Sequence, residues 1–119
     1  MIEVFVPYMA PSLNSIYSGI HWSVRQKHAD AGHLFCKRLG LEPIRYPVHL
    51  TFVPVLGKGA RARDCSNYAY AAKIIEDGLV LSGVLEDDGN RFVKSFRLVE
   101  PVVDRASKTG FRVQIERAE

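Results

Sequence analysis

No apolar run in this 119-residue sequence approaches the ~18 residues that a membrane-crossing helix needs, so nothing in it predicts a membrane span. Met1 leads into Ile2-Glu3-Val4-Phe5-Val6 rather than a basic segment and an apolar signal core, which predicts an unexported, cytoplasmic protein. Cysteine is scarce. Cys36 and Cys65 stand in unrelated contexts without C-x-x-C spacing, so neither a disulfide framework nor a zinc knuckle is indicated, and both read as small buried fillers. The four histidines, His21, His28, His33 and His49, have no metal-ligand spacing. A P-loop, a dinucleotide fingerprint and a serine elbow are also missing. The excess of one charge sign is small: a net charge of +3 accommodates an anionic partner without requiring one.

What is present is an ordinary globular composition, 47% hydrophobic and 24% charged, enough for a real core. The length fits one domain, since domains commonly run to ~100–150 residues, and no repeat, linker or low-complexity tract divides residues 1–119. Ile2, Val4 and Val6 alternate with Glu3 and Phe5 until Pro7, predicting a short first strand. The proline-rich stretch from Pro7 to Asn14 reads as loop. From about Ser23 to Arg38, Val24, Ala31, Leu34, Phe35 and Leu39 can share a stripe, predicting an amphipathic helix that ends near Gly40, with Arg25, Lys27, Lys37 and Arg38 on its other face.

Val48-His49-Leu50-Thr51-Phe52-Val53, bounded by Pro47 and Pro54, is the second strand. A basic loop carrying Lys58, Arg61 and Arg63 precedes a second helix from about Asn67 to Ser82, which stops at Gly83. On it Tyr68, Ala71, Ala72, Ile75 and Leu79 share one arc, and Tyr70, Lys73 and Asp77 the opposite one. Arg91–Val99 and Phe111–Glu116 read as the third and fourth strands. The expected fold is α+β: a small mixed sheet of about four strands covered by two helices, in the order β-α-β-α-β-β, with edges that a second copy could cover.

Four acidic residues stand out: Asp64 after the basic loop, Asp77 on the polar helix face, and Asp87-Asp88 in the turn before the third strand. Neighbouring carboxylates repel, so an Asp pair converging with another Asp is most easily kept ionised by a hard divalent cation such as Mg²⁺. Each also has a plainer reading. Asp64 suits the start of a helix, Asp87-Asp88-Gly89-Asn90 suits a turn, and Lys73 with Asp77 makes a solvated i, i+4 pair. Bases beside a carboxylate cluster are what phosphodiester chemistry asks for, although the same bases fit a solvated loop.

The order of the segments says more. Arg63-Asp64-Cys65-Ser66-Asn67, Lys73-Ile74-Ile75-Glu76-Asp77-Gly78-Leu79 and Ser82-Gly83-Val84-Leu85-Glu86-Asp87-Asp88 resemble the R-D-x-D-N, K-x-x-x-D-x-L and G-(apolar)-x-x-D-D pattern of the RusA family of Holliday-junction resolvases. Pro11-Ser12-Leu13-Asn14-Ser15-Ile16-Tyr17 is similar to that family's P-S-x-N-x-x-Y opening. The resemblance implies a small phage or prophage endonuclease, a homodimer that makes paired, Mg²⁺-dependent nicks in four-way or other branched DNA, with Mn²⁺ as a substitute cation. It implies Asp64, Asp88 and Lys73 as catalytic residues, and Asp64, Asp87, Asp88 and Asp77 as the carboxylates from which metal ligands are drawn. Lys58, Arg61, Arg63, Asn14 and Arg25 would hold the DNA backbone, and Asn67 opens the helix.

Ser66 stands where the pattern has its second aspartate, and a hydroxyl is a poorer Mg²⁺ ligand than a carboxylate. Asp77 could supply a replacement, and Ser66 could act through a metal-bound water or as the helix N-cap. The alternative is therefore a non-catalytic branched-DNA-binding protein with the same fold.

Overall fold

The alternating, β-branched run after Pro47 forms the strand around which the protein is built. The computed structural model describes residues 1–118. In chain order they form β1 (Ile2–Val6), α1 (Leu13–Tyr17), α2 (Trp22–Lys37), β2 (Val48–Leu56), a 3₁₀ turn (Cys65–Tyr68), α3 (Ala69–Leu81), β3 (Val93–Leu98), β4 (Val102–Val103) and β5 (Gly110–Arg117). The fold is α+β: one mixed five-stranded sheet and three helices. β2 is central, antiparallel to β5 on one side and parallel to β3 and then β4 on the other, while β1 pairs antiparallel with the far edge of β5. A parallel pair needs a crossover, and the 3₁₀ turn with α3 supplies it.

Three local expectations change. The segment read as loop through Asn14 already turns into α1 at Leu13, capped by the Ser12 hydroxyl, which accepts the Ser15 N–H at 3.2 Å. Pro54 does not stop β2. The carbonyls of Phe52 and Leu56 accept from Val99 and Asp104, so alternation turns the N-side of Pro54 to that same edge, between the end of β3 and the start of β4. The missing N–H thus falls where no neighbouring strand requires it. The short β4 is the one strand beyond the four expected, a two-residue element too brief for a periodic signal.

The inner face of the sheet presents Val48, Leu50 and Phe52 from β2 and Phe111, Val113 and Ile115 from β5 to one core with Tyr68, Ala71, Ala72, Ile75 and Leu79, the arc expected of the second helix. Gly83 closes that helix at φ +82°, a left-handed conformation that lets the N–H groups of Val84 and Leu85 reach the Leu79 carbonyl. α2 buries a different stripe from the one its large apolar residues suggest. Val24, Ala31 and Leu34 are exposed, Phe35 and Leu39 are partly buried, and the buried residues are Gly32 and Cys36.

Small residues win that face because α2 and α3 approach closely: a Cβ on Gly78 would lie 2.7 Å from Cys36 Sγ and 3.2 Å from His33 Cα. The Cys36 thiol points at the Ile75 carbonyl at 3.5 Å, and burial pushes its pKa up to about 12, which leaves it a filler rather than a nucleophile. Gly78→Val is expected to lower stability by about 1–3 kcal/mol through overpacking, despite the better helix propensity of valine. A urea midpoint at or above that of the parent would contradict this packing.

Candidate functional site

Lys73 lies on the exposed side of α3, one turn before Glu76 and Asp77. Helical spacing alone brings these three together, since i+3 and i+4 neighbours share a face. The Lys73 ammonium donates to Glu76 Oε1 at 2.8 Å and sits 2.9 Å from Asp77 Oδ1. The fourth member comes from outside the helix: Asp88 Oδ2 accepts from Lys73 at 3.0 Å.

Several contacts bring Asp88 back. After Gly83 the chain buries Val84 and Leu85, the Ile44 N–H donates to the Val84 carbonyl at 2.8 Å, and Ile44 bridges to Leu85. The turn then closes at Gly89, whose carbonyl accepts from Phe92 and Val93 at the start of β3. The side of the turn carrying Asp88 consequently faces α3.

Three carboxylates, from Glu76, Asp77 and Asp88, thus offer oxygen atoms within 4.8 Å of one another around a single ammonium. Asp77 and Asp88 are partly or fully open to water, whereas Glu76 is 5% exposed, the one charged residue in the core among the described residues. Partial burial of Lys73 favours its neutral amine, but hydrogen bonds to Glu76, Asp77 and Asp88 outweigh it and hold the pKa above the ordinary lysine range. The hydrogen bond and charge of Lys73 hold Asp88 below the usual carboxylate range. Three hard oxygen donors fit a divalent cation in type, but exposed acidic groups also gather without one, so the cluster alone identifies no metal.

Lys73 also lines two open hollows, one on each side. The first, about 510 Å³, contains Glu76, Asp88, Asn90, Lys94 and Phe96. The second, about 440 Å³, lies between α2 and α3 and contains Trp22, Arg25, Tyr70 and Asp77.

Other anticipated site residues lie elsewhere or have structural partners. Asp64 is exposed at the start of the 3₁₀ turn, makes no side-chain cap bond and is not in the carboxylate group, so the expected convergence of Asp64 with Asp88 is replaced by that of Glu76 and Asp77 with Asp88. Asp87 lines a separate hollow with Pro47, Glu86, Arg91 and Phe92. Ser66 is exposed inside the 3₁₀ turn and is not an N-cap, since α3 starts after Tyr68. Cys65 is exposed rather than buried.

Arg63 is partly committed to the fold. Its guanidinium donates to the Ala10 carbonyl at 2.9 Å and lies 5.5 Å from the centre of the Tyr68 ring. Lys58, Arg61 and Arg25 are exposed. The Asn14 N–H donates to Asn67 Oδ1 at 3.2 Å, which joins the P-S-L-N segment to the R-D-C-S-N segment.

Two contributors escape a reading of the sequence. Glu76 carries a signal, an acid three residues after Lys73, but lies at the edge of the apolar arc. Arg105, from the β4–β5 connection, donates to the carbonyls of Gly57 and Ala60 and so braces the basic loop. No protein-family model matches the chain, and no curated protein matches it.

Proposed function

We propose that the protein is a Mg²⁺-dependent, structure-selective endodeoxyribonuclease that, as a homodimer, resolves four-way DNA junctions by paired phosphodiester hydrolysis in recombination and repair. The observation that carries this reading is the meeting of Lys73, Asp77 and Asp88, the lysine and two aspartates of the K-x-x-x-D and D-D segments. Glu76, Asp77 and Asp88 would hold the cation, with Glu76 making up the carboxylate that Ser66 does not supply. When bound there, Mg²⁺ acts as a Lewis acid and lowers the pKa of attacking water.

The chain's own groups do the rest. Lys73, half exposed on a flexible stem, can turn its ammonium toward a phosphate oxygen and stabilise the charge that develops there. Lys58, Arg61 and Arg25 hold the backbone without reading sequence, which makes binding steeply salt-dependent. Selectivity for a branch then rests on the spacing of two sites in the dimer and on the deformability of the junction.

A second reading, branched-DNA binding without cleavage, draws support from Ser66, from the place of Asp64 outside the carboxylate group, and from an ammonium bonded to all three carboxylates. The test is a labelled synthetic four-way junction beside a linear duplex of the same sequence, each with Mg²⁺ and with chelator. Symmetric, Mg²⁺-dependent nicks on the junction alone are expected. Tight junction binding without nicks would favour the second reading, in which Ser66→Asp should create nicking. Equal binding to both DNAs would overturn both readings.

A further inference from the structure

Trp22, the only tryptophan of the chain, is 71% exposed at the first residue of α2. So large an apolar surface in water contributes nothing to a core, and its nearest aromatic neighbour, His21, is a tilted ring 5.7 Å away. Trp22 and Tyr70 both line the hollow between α2 and α3. The Tyr70 hydroxyl donates to the Arg25 carbonyl at 3.4 Å, which ties Tyr70 to the helix that carries Trp22. Lys73 and Asp77 also line this hollow, so it shares these two residues with the carboxylate cluster. The exposed bases Arg25 and Lys27 follow Trp22 along α2.

We infer that this hollow receives an unstacked nucleobase of the branched DNA, stacked on the Trp22 indole, while its phosphate lies against Arg25. This inference rests on the proposed function and deepens it by naming what the site recognises at a branch point. The chemistry fits a base better than an aliphatic partner: the exposed indole offers a flat π surface, and Arg25 in the same hollow offers a cation to the phosphate. A base inside a continuous duplex is held by pairing and by two stacked neighbours, whereas one in a single strand is unpaired and one at a branch point lacks a continuous stack, so bringing it into the hollow costs less there. Selectivity for branched over linear DNA thereby acquires a source within each subunit, in addition to dimer spacing.

A single tryptophan makes the test direct. The chain is titrated in chelator with the four-way junction, the linear duplex or a single-stranded oligonucleotide while tryptophan emission is followed, and the anisotropy of labelled DNA reports binding separately. Junction and single strand are expected to quench more than half of the emission and duplex little of it. Trp22→Ala should weaken junction binding by about 5- to 150-fold, the range for loss of one base–aromatic stack, and Trp22→Phe should restore most of it. Circular dichroism of both variants checks that they fold.

Junction binding without quenching, or a Trp22→Ala variant that binds like the parent, overturns the inference. So does an emission shift on raising the protein concentration without DNA, which would place Trp22 between two copies. Adding Mg²⁺ to the same samples keeps the two readings apart. Nicking with a silent Trp22 removes the inference alone, and quenching without nicking removes the nuclease reading alone.

Discussion

Asp88→Asn is expected to reduce Mg²⁺-dependent junction cleavage by more than about 100-fold, since loss of even an outer-shell partner of a metal site costs ~10–100-fold. Asp88 is exposed and contributes a carboxylate oxygen to the group that also contains Glu76 and Asp77. Its amide counterpart has nearly the same shape, keeps a carbonyl oxygen for Lys73 and removes one negative charge. The fold should therefore persist. Junction binding should be unchanged or tighter, because a charge that repels phosphate is gone. Single-turnover cleavage and anisotropy on the same preparation separate the two effects, and cleavage at the parental rate would remove Asp88 from the catalytic set.

Lys73→Met is expected to act on both activity and stability. Cleavage should fall by about 10²–10³-fold, the usual cost of removing one group that stabilises developing charge. Folding stability should fall by about 1–3 kcal/mol near neutral pH, because the buried Glu76 carboxylate loses its charged partner; the half-exposed ammonium keeps this below the full cost of breaking a buried pair.

The pH dependence follows from the two shifts. Lys73 titrates above its unfolded value of about 10.4, so its contribution is complete below that pH and disappears as pH rises through the higher folded value. Asp88 titrates below its unfolded value of about 3.9, so its contribution is present above that pH and disappears as pH falls through the lower folded value. The difference between parent and variant should accordingly be widest between these limits and narrow at both extremes. Urea unfolding at acidic, neutral and alkaline pH measures it, and a constant difference across the range would contradict the ionic origin.

Much of this architecture is written locally. The arc from Tyr68 to Leu79 is buried as its spacing requires, and Lys73 and Asp77 meet because a helical turn brings i and i+4 together. The alternation of Phe111, Val113 and Ile115 gives a strand with one buried face. α2 is less legible, because large apolar residues suggest a packing face whereas close approach to Gly78 selects Gly32 and Cys36. Close approach is a property of two helices together, and no periodicity within one of them reveals it.

The α+β class, the main strands and helices, and the polar front of α3 follow from local patterns, because periodic burial and helical neighbour spacing are properties of short segments. Which carboxylates share a site depends instead on how distant segments pack. Asp88 reaches Lys73 across 15 residues of chain through the anchoring of Val84 and Leu85 against Ile44, while Asp64 stays outside the cluster although it lies nearer to Lys73 in sequence. The physical reason is that a carboxylate's neighbours depend on how separate segments pack, and that packing is governed by buried apolar contacts elsewhere. The same dependence draws Glu76 into the core beside an ammonium and brings Trp22 to the lining of the adjoining hollow.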